Sequence, residues 1–182
     1  MTFNLKITSQ AMRLTALAAV LCAQGVLAAP VPLTNAGFEQ QWEAVGGTGS
    51  DGQVTFNYGP TGPGLGWSFG YTGNGVAGSY SSLTAYEGNR FGFLQTGRLE
   101  DSFGPMGATI SQSFVLTNAA DIVISFALAL RQGYAPGQHV RVGVDGQLFA
   151  DFAVTSTAWV IQTVNIAALT AGTHSISNSL MK

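Results

Sequence analysis

The chain has 182 residues, of which 9% are charged, with a formal charge of −2, 24 glycines and one cysteine. Its seven Lys and Arg residues form no cluster, which argues against a nucleic-acid-binding surface. A hydrophobic fraction of 46% at low net charge argues against disorder, and the length suits one domain.

The first residues differ from all that follow. Lys6 and Arg13 precede an apolar run from Leu14 to Ala23, and Val26-Leu27-Ala28-Ala29 follows. A positive n-region, an apolar h-region and small residues before a scissile bond predict a signal peptide over residues 1–28, cleaved after Ala28. The run is shorter than the roughly 20 apolar residues that a spanning helix needs, so no membrane anchor is expected after cleavage. Met12 offers an alternative start. Cleavage of 28 residues leaves 154, with five cations (Arg90, Arg98, Arg131, Arg141, Lys182) against nine carboxylates, a formal charge of −4. Cys22 lies in the h-region behind the bulky Leu21, so the exported domain, residues 29–182, is expected to be cysteine-free and without disulfides. A periplasmic or extracellular location follows.

From Val45 to Ser82 the chain is rich in Gly, Ser, Thr and Asn, with Phe56, Tyr58, Trp67, Phe69, Tyr71 and Tyr80 interspersed. This reads as long ordered loops packed by their own aromatics, with a short strand at Trp67–Phe69. Strands are then predicted at Phe91–Gln95 and Thr109–Leu116. Asp121–Arg131 alternates clearly, with Ile122, Ile124, Phe126, Leu128 and Leu130 on one face and Val123, Ser125, Ala127 and Ala129 on the other. The small second row suggests a covered face or a shallow groove. Val140, Val142 and Val144 alternate up to Asp145-Gly146, a hairpin signal, and Leu148, Ala150, Phe152 and Val154 return from it. Trp159–Ile166 and Thr173–Ile176 follow as strands. Short strands with evenly spaced turns indicate an all-β antiparallel β-sandwich.

Sugar binding is the chemistry these residues suit best, because pyranose C–H patches stack on aromatic rings while polar neighbours take the hydroxyls. Trp67, Tyr71, Tyr58 and Tyr134 lie in loop-like segments beside Asn57, Asn74, Arg131 and Gln132. Aromatics in sandwich domains are more often core or loop plugs, the reading for Trp42, Trp159, Phe114 and Phe126 and the leading one for Trp67. Arg131 can pair instead with Glu87 or Asp145. Catalytic signals are weak. Glu100 and Asp101 are adjacent and point to opposite sides of any strand, the two histidines His139 and His174 carry no zinc-ligand spacing, and no nucleophile elbow occurs. Gly73-Asn74-Gly75 reads as a turn. A non-enzyme is expected.

Asn35-Ala36-Gly37-Phe38-Glu39 is similar to the opening motif of galactose-binding-like jelly rolls, among them many carbohydrate-binding modules. The chain from there on resembles secreted bacterial proteins that often carry a PEP-CTERM sorting tail. The resemblance rests on Phe56-Asn57-Tyr58, Gly66-Trp67-Ser68-Phe69, Glu87-Gly88-Asn89, Phe93-Leu94-Gln95 and Ile110-Ser111-Gln112. It continues through Leu130-Arg131-Gln132-Gly133, Val142-Gly143-Val144-Asp145-Gly146 and Ala171-Gly172-Thr173-His174-Ser175-Ile176.

It implies a jelly roll with a further strand of the form A-F-I-D-x-V and a sorting tail, whereas this sequence runs to Asn178-Ser179-Leu180-Met181-Lys182. On that footing the domain lacks its final strand through truncation, and self-association through an unpaired strand edge is expected. The resemblance also implies a structural Ca²⁺ held partly by Glu39, although calcium takes six to eight oxygens and the matching C-terminal Asp is absent. Glu39 as a loop-bracing acceptor is the alternative, with no cofactor. The functional expectation is a secreted, non-catalytic domain that binds a polysaccharide or cell-surface glycan. The alternative is a structural or surface-assembly protein of an extracellular matrix or biofilm.

Overall fold

Alternating burial governs the second half of the chain. The computed structural model describes residues 2–10, 31, 33–40, 56–70, 73–80, 83–95, 107–133 and 137–181. In β8 (Thr109–Leu116), Ile110, Gln112, Phe114 and Leu116 are buried while Ser113 and Val115 are exposed. In β9 (Ala120–Ala129), Ile122, Ile124, Phe126 and Leu128 are all at most 2% exposed. Val140, Val142 and Val144 of β10 (Gln138–Val144) face the same interior. The Asp145-Gly146 turn connects β10 to β11 (Gln147–Val154), with φ of 52° and 80° at its two central residues, as a type I′ turn requires. β12 (Val160–Leu169) and β13 (Gly172–Met181) complete this half.

The strands form two sheets whose inner faces share one apolar cluster, the arrangement of a β-sandwich. One sheet has the order β11-β10-β13-β8-β3, with β3 at Ser68–Gly70. The other runs β12-β9-β1-β7-β4-β2, where β1 is Thr2–Gln10, β2 Phe56–Tyr58, β4 Asn74–Ala77 and β7 Phe91–Leu94. All pairings are antiparallel, and β5 (Ser79–Tyr80) with β6 (Leu83–Thr84) makes a separate ribbon. Phe126 meets Phe152 edge-on across the sandwich at 5.7 Å.

Several elements depart from the sequence expectation. Asn74-Gly75 is not a turn but the start of β4. The buried Asn74 amide donates to the carbonyls of Gly70 and Thr109, and a Cβ at Gly75 would lie 2.0 Å from the Asn57 carbonyl oxygen. Glycine here serves close strand approach. β13 extends past Ile176 to Met181 because Ser175, Ser177 and Ser179 alternate with buried Ile176, Asn178 and Leu180. An asparagine in the buried row disguises the pattern. β2 and the β5–β6 ribbon lie within the stretch expected to be loops.

The last departure is β1. Its nine residues pair with β9 from Thr2↔Ala129 to Gln10↔Asp121, and Thr2 and Phe3 pair on the other side with Phe93 and Gly92. The segment expected to carry the n-region of a signal peptide therefore runs through the middle of a sheet.

Candidate binding site

The opening motif builds a hydrogen-bonded knot. Asn35 and Phe38 have φ of 51° and 62°, in the left-handed region that costs a non-glycine residue about 1 kcal/mol or more. Surrounding contacts hold them there. The Phe38 N–H donates to the Asn35 carbonyl at 2.9 Å, and the Asn35 amide donates to the Leu65 carbonyl at 3.0 Å. The Asn35 carbonyl also accepts the indole N–H of Trp67 at 2.8 Å. Gln112 donates to both Thr34 and Gly66 carbonyls at 2.7 Å. A Cβ at Gly66, whose φ is 73°, would sit 2.7 Å from the Thr34 oxygen, so glycine is needed there.

Phe38 is fully buried and stacks on Trp67, with ring centroids 5.1 Å apart at 26°. Burying one such ring stabilises a fold by about 1.5–3 kcal/mol. Glu39 closes the knot on its other side. One carboxylate oxygen accepts the N–H groups of Asn89 and Arg90, each at 2.9 Å, while Arg90 Nη1 donates to the Glu39 carbonyl. The loop-bracing role weighed for Glu39 is thus visible in the geometry. Among the described residues no group of three or more His, Cys, Asp or Glu could hold a metal.

Between Tyr58 and β3 the glycine-rich loop surrounds a cleft of about 350 Å³. Its walls include Gly59, Thr61, Leu65, Trp67, Ser68 and Phe69. That volume is in the range of small-ligand sites, which begins near 300 Å³. Trp67 contributes to the wall but is only 4% exposed, its ring covered by Phe38. Tyr58, on the other flank of the loop, is 48% exposed. Its ring meets Phe56 and Phe93 edge-on at 5.2 and 5.3 Å, and its hydroxyl donates to Gln95 Oε1 at 3.1 Å.

Of the predicted sugar-contacting residues, the fold brings Tyr58 and Trp67 to the two flanks of one loop. Tyr71 and Tyr134 lie outside the described residues, as do Trp42, Glu100 and Asp101. Arg131 follows β9, which stands four strand spacings from β2, about 19 Å. Asp145 is engaged by His174 and by the Ser175 N–H, not by Arg131. Phe114 and Phe126 are core residues. Trp159 instead lies partly buried outside the main core, donating its indole N–H to the Thr84 carbonyl.

The sequence reading missed a second, buried aromatic cluster on the outer side of the six-stranded sheet, with the exposed Tyr58 and Tyr86 at its margins. Phe91, Phe93 and Ala77 form a second apolar cluster there with Phe56, Ala85 and Trp159 against it. Trp159 meets Phe91 edge-on at 5.8 Å, and Tyr86, 42% exposed, meets Trp159 at 6.3 Å. Period-two spacing of Phe56 with Tyr58, and of Phe91 with Phe93, was the available signal.

The two histidines complete the inventory. His174 is buried; Nδ1 lies 2.7 Å from Asp145 Oδ2 and Nε2 lies 2.9 Å from the Thr170 carbonyl. Neither acceptor can donate to a neutral ring nitrogen, so the imidazolium is the form that makes both bonds. The hydrogen bond to Asp145 raises the His174 pKa above its ordinary value against the opposing effect of burial. The reciprocal bond holds the Asp145 carboxyl below its ordinary value. With both nitrogens committed, this ring has none left for general acid–base work. His139 is exposed and pairs with Asp151, whose carboxyl is held low chiefly by its hydrogen bond from Arg141.

Compared with known protein families, curated proteins and solved structures, the chain matches none; its assignment rests on an all-β sandwich with an aromatic-flanked loop cleft.

Proposed function

We propose that this protein is a secreted, non-catalytic carbohydrate-binding domain. Its binding site is the cleft of the 59–69 loop together with the exposed Tyr58 ring beside it in sequence. The observation that carries this reading is the half-exposed Tyr58 ring, in T-shaped contact with Phe56 and Phe93 and one residue before Gly59 of the cleft wall. A ring already held by its neighbours loses little side-chain freedom on binding, which favours stacking of its exposed part on a sugar. Thr61, Ser68 and the loop's backbone supply hydrogen-bonding groups beside it. Trp67 positions the loop from beneath. The resemblance to galactose-binding-like jelly rolls agrees with this assignment.

Polysaccharide pull-down and glycan-array binding test it. Tyr58→Ala is expected to abolish binding while leaving the unfolding midpoint close to that of the parent. Full retention of binding in that folded variant would remove the site.

A second reading, surface assembly between copies, is favoured by the opposite side of the sandwich. The outermost strands β11 and β12 expose Leu148 (53%), Phe149 (37%), Val160 (41%) and Ile161 (57%). Exposed apolar residues on edge strands invite pairing. Sedimentation of the Leu148→Lys, Ile161→Lys double variant checks this reading: assembly through this side predicts dissociation to monomer.

A further inference from the structure

β1 is held by nine residue pairs on one side and two on the other, yet it belongs to the segment expected to leave with the signal peptide. Its removal would uncover β9 along nine residues, leaving about nine backbone N–H and C=O groups without partners. It would also separate β7 from β9, because no direct pairing joins those two strands. Ile122, Ile124, Phe126 and Leu128 of β9 are deep in the shared core, so the edge thus exposed is apolar on one face and lies mid-sheet. An unpaired mid-sheet edge of this kind is a template for another strand.

The register states what fits. Residues 3, 5 and 7 stand opposite Leu128, Phe126 and Ile124, and directly opposed residues of an antiparallel pair share a face. These positions hold Phe3, Leu5 and Ile7, alternating with Asn4, Lys6 and Thr8. The occupant is therefore an extended segment of about nine residues, apolar at alternate positions on the β9 core row and polar between them.

We propose that the gap between β7 and β9 is a strand-acceptor site. Thr2–Gln10 fills it in the precursor, and in the exported protein a strand of that pattern from another polypeptide takes its place. The proposal rests on removal of residues 1–28 and is independent of sugar binding.

The test expresses the full chain with its own first 28 residues, purifies the exported product and reads its N-terminus by mass. A labelled peptide of residues 2–10 is then added, beside the same peptide carrying Leu5→Asp and Ile7→Asp. The expected result is a product beginning at Ala29 that binds the first peptide one to one, with new amide-exchange protection over residues 121–129 and a raised unfolding midpoint. The doubly substituted peptide should bind at least about tenfold more weakly, since it would place charges against the core row. Retention of residues 2–10 in the product would overturn the proposal, as would equal binding of both peptides. A product that stays unfolded at saturating peptide would overturn it too. Glycan binding measured on the same samples reports separately on Tyr58.

Discussion

Tyr58 and Trp67 flank the same glycine-rich loop and differ in almost everything else. Trp67 is 4% exposed, stacked on Phe38, with its indole N–H on the Asn35 carbonyl; Tyr58 is 48% exposed and meets Phe56 and Phe93 in T-shaped contacts. Both have a satisfied polar atom, so hydrogen bonding does not separate them. What separates them is the Asn35–Glu39 motif, which supplies a ring and a carbonyl on the Trp67 side. An aromatic residue in a loop becomes structure when a second segment covers its face and becomes a contact surface when its neighbours leave it half exposed.

Substitutions can break this contrast. Trp67→Ala is expected to have the largest effect, a stability loss of about 3–5 kcal/mol in chemical denaturation, because it empties a buried site and removes one of the two hydrogen bonds on the Asn35 carbonyl. Asn178 shows the cost of a buried polar group that lacks the partner Trp67 has. It is fully buried, and neither of its side-chain polar atoms has a hydrogen-bond partner among the described residues. Asn178→Val should therefore raise stability by about 1–3 kcal/mol, measured as a higher denaturation midpoint with an unchanged slope.

The His174–Asp145 pair sharpens the contrast by pH. His174 has its pKa raised, so its contribution is complete below its unfolded value near 6.5 and is lost as pH rises through the raised value. Asp145 has its pKa lowered, so its contribution is complete above its unfolded value near 3.8 and is lost as pH falls through the lowered one. The pair is fully effective between those limits. Asp145 is half exposed, so screening reduces the effect: Asp145→Asn should cost about 1 kcal/mol at pH 5.5 and less at pH 9. Melting curves across that range check the slope; an equal loss at both pH values would contradict the ion pair. The smallest stability change is expected for Tyr58→Ala, within about 0.5–1 kcal/mol, accompanied by the loss of glycan binding.

Where a strand is half buried, its residues announce it. β8 was predicted as Thr109–Leu116 and occupies those same residues, because alternation and burial coincide along its length. The Asp145-Gly146 hairpin was equally legible from its turn chemistry. β4 was not, since Asn74-Gly75 is chemically a turn signal, and only the third dimension shows Asn57 passing too close for a side chain. β1 was hidden because its alternating residues stand just before an apolar run that reads as a leader. Of the candidate site, the loop and Tyr58 were legible. The structural reading of Trp67 was legible too, but not its cover, which comes from Phe38, 29 positions earlier in the sequence. The Phe91–Trp159 part of the outer cluster depends on a contact between distant segments and left no local mark.

The Asn35–Glu39 knot also bears on how the chain folds. Its bonds reach residues 30, 32, 50 and 78 positions away, to Leu65, Trp67, Asn89 and Gln112. Contacts so distant carry a large loop-closure entropy before any of them forms, and they form only when several segments are already in place. The knot is therefore expected to close late, after the β10–β11 hairpin, with near-zero φ-values at Phe38. Until it closes the 59–69 loop lacks its anchor, so the ability to bind would be the last property this chain acquires on folding and the first it loses on heating.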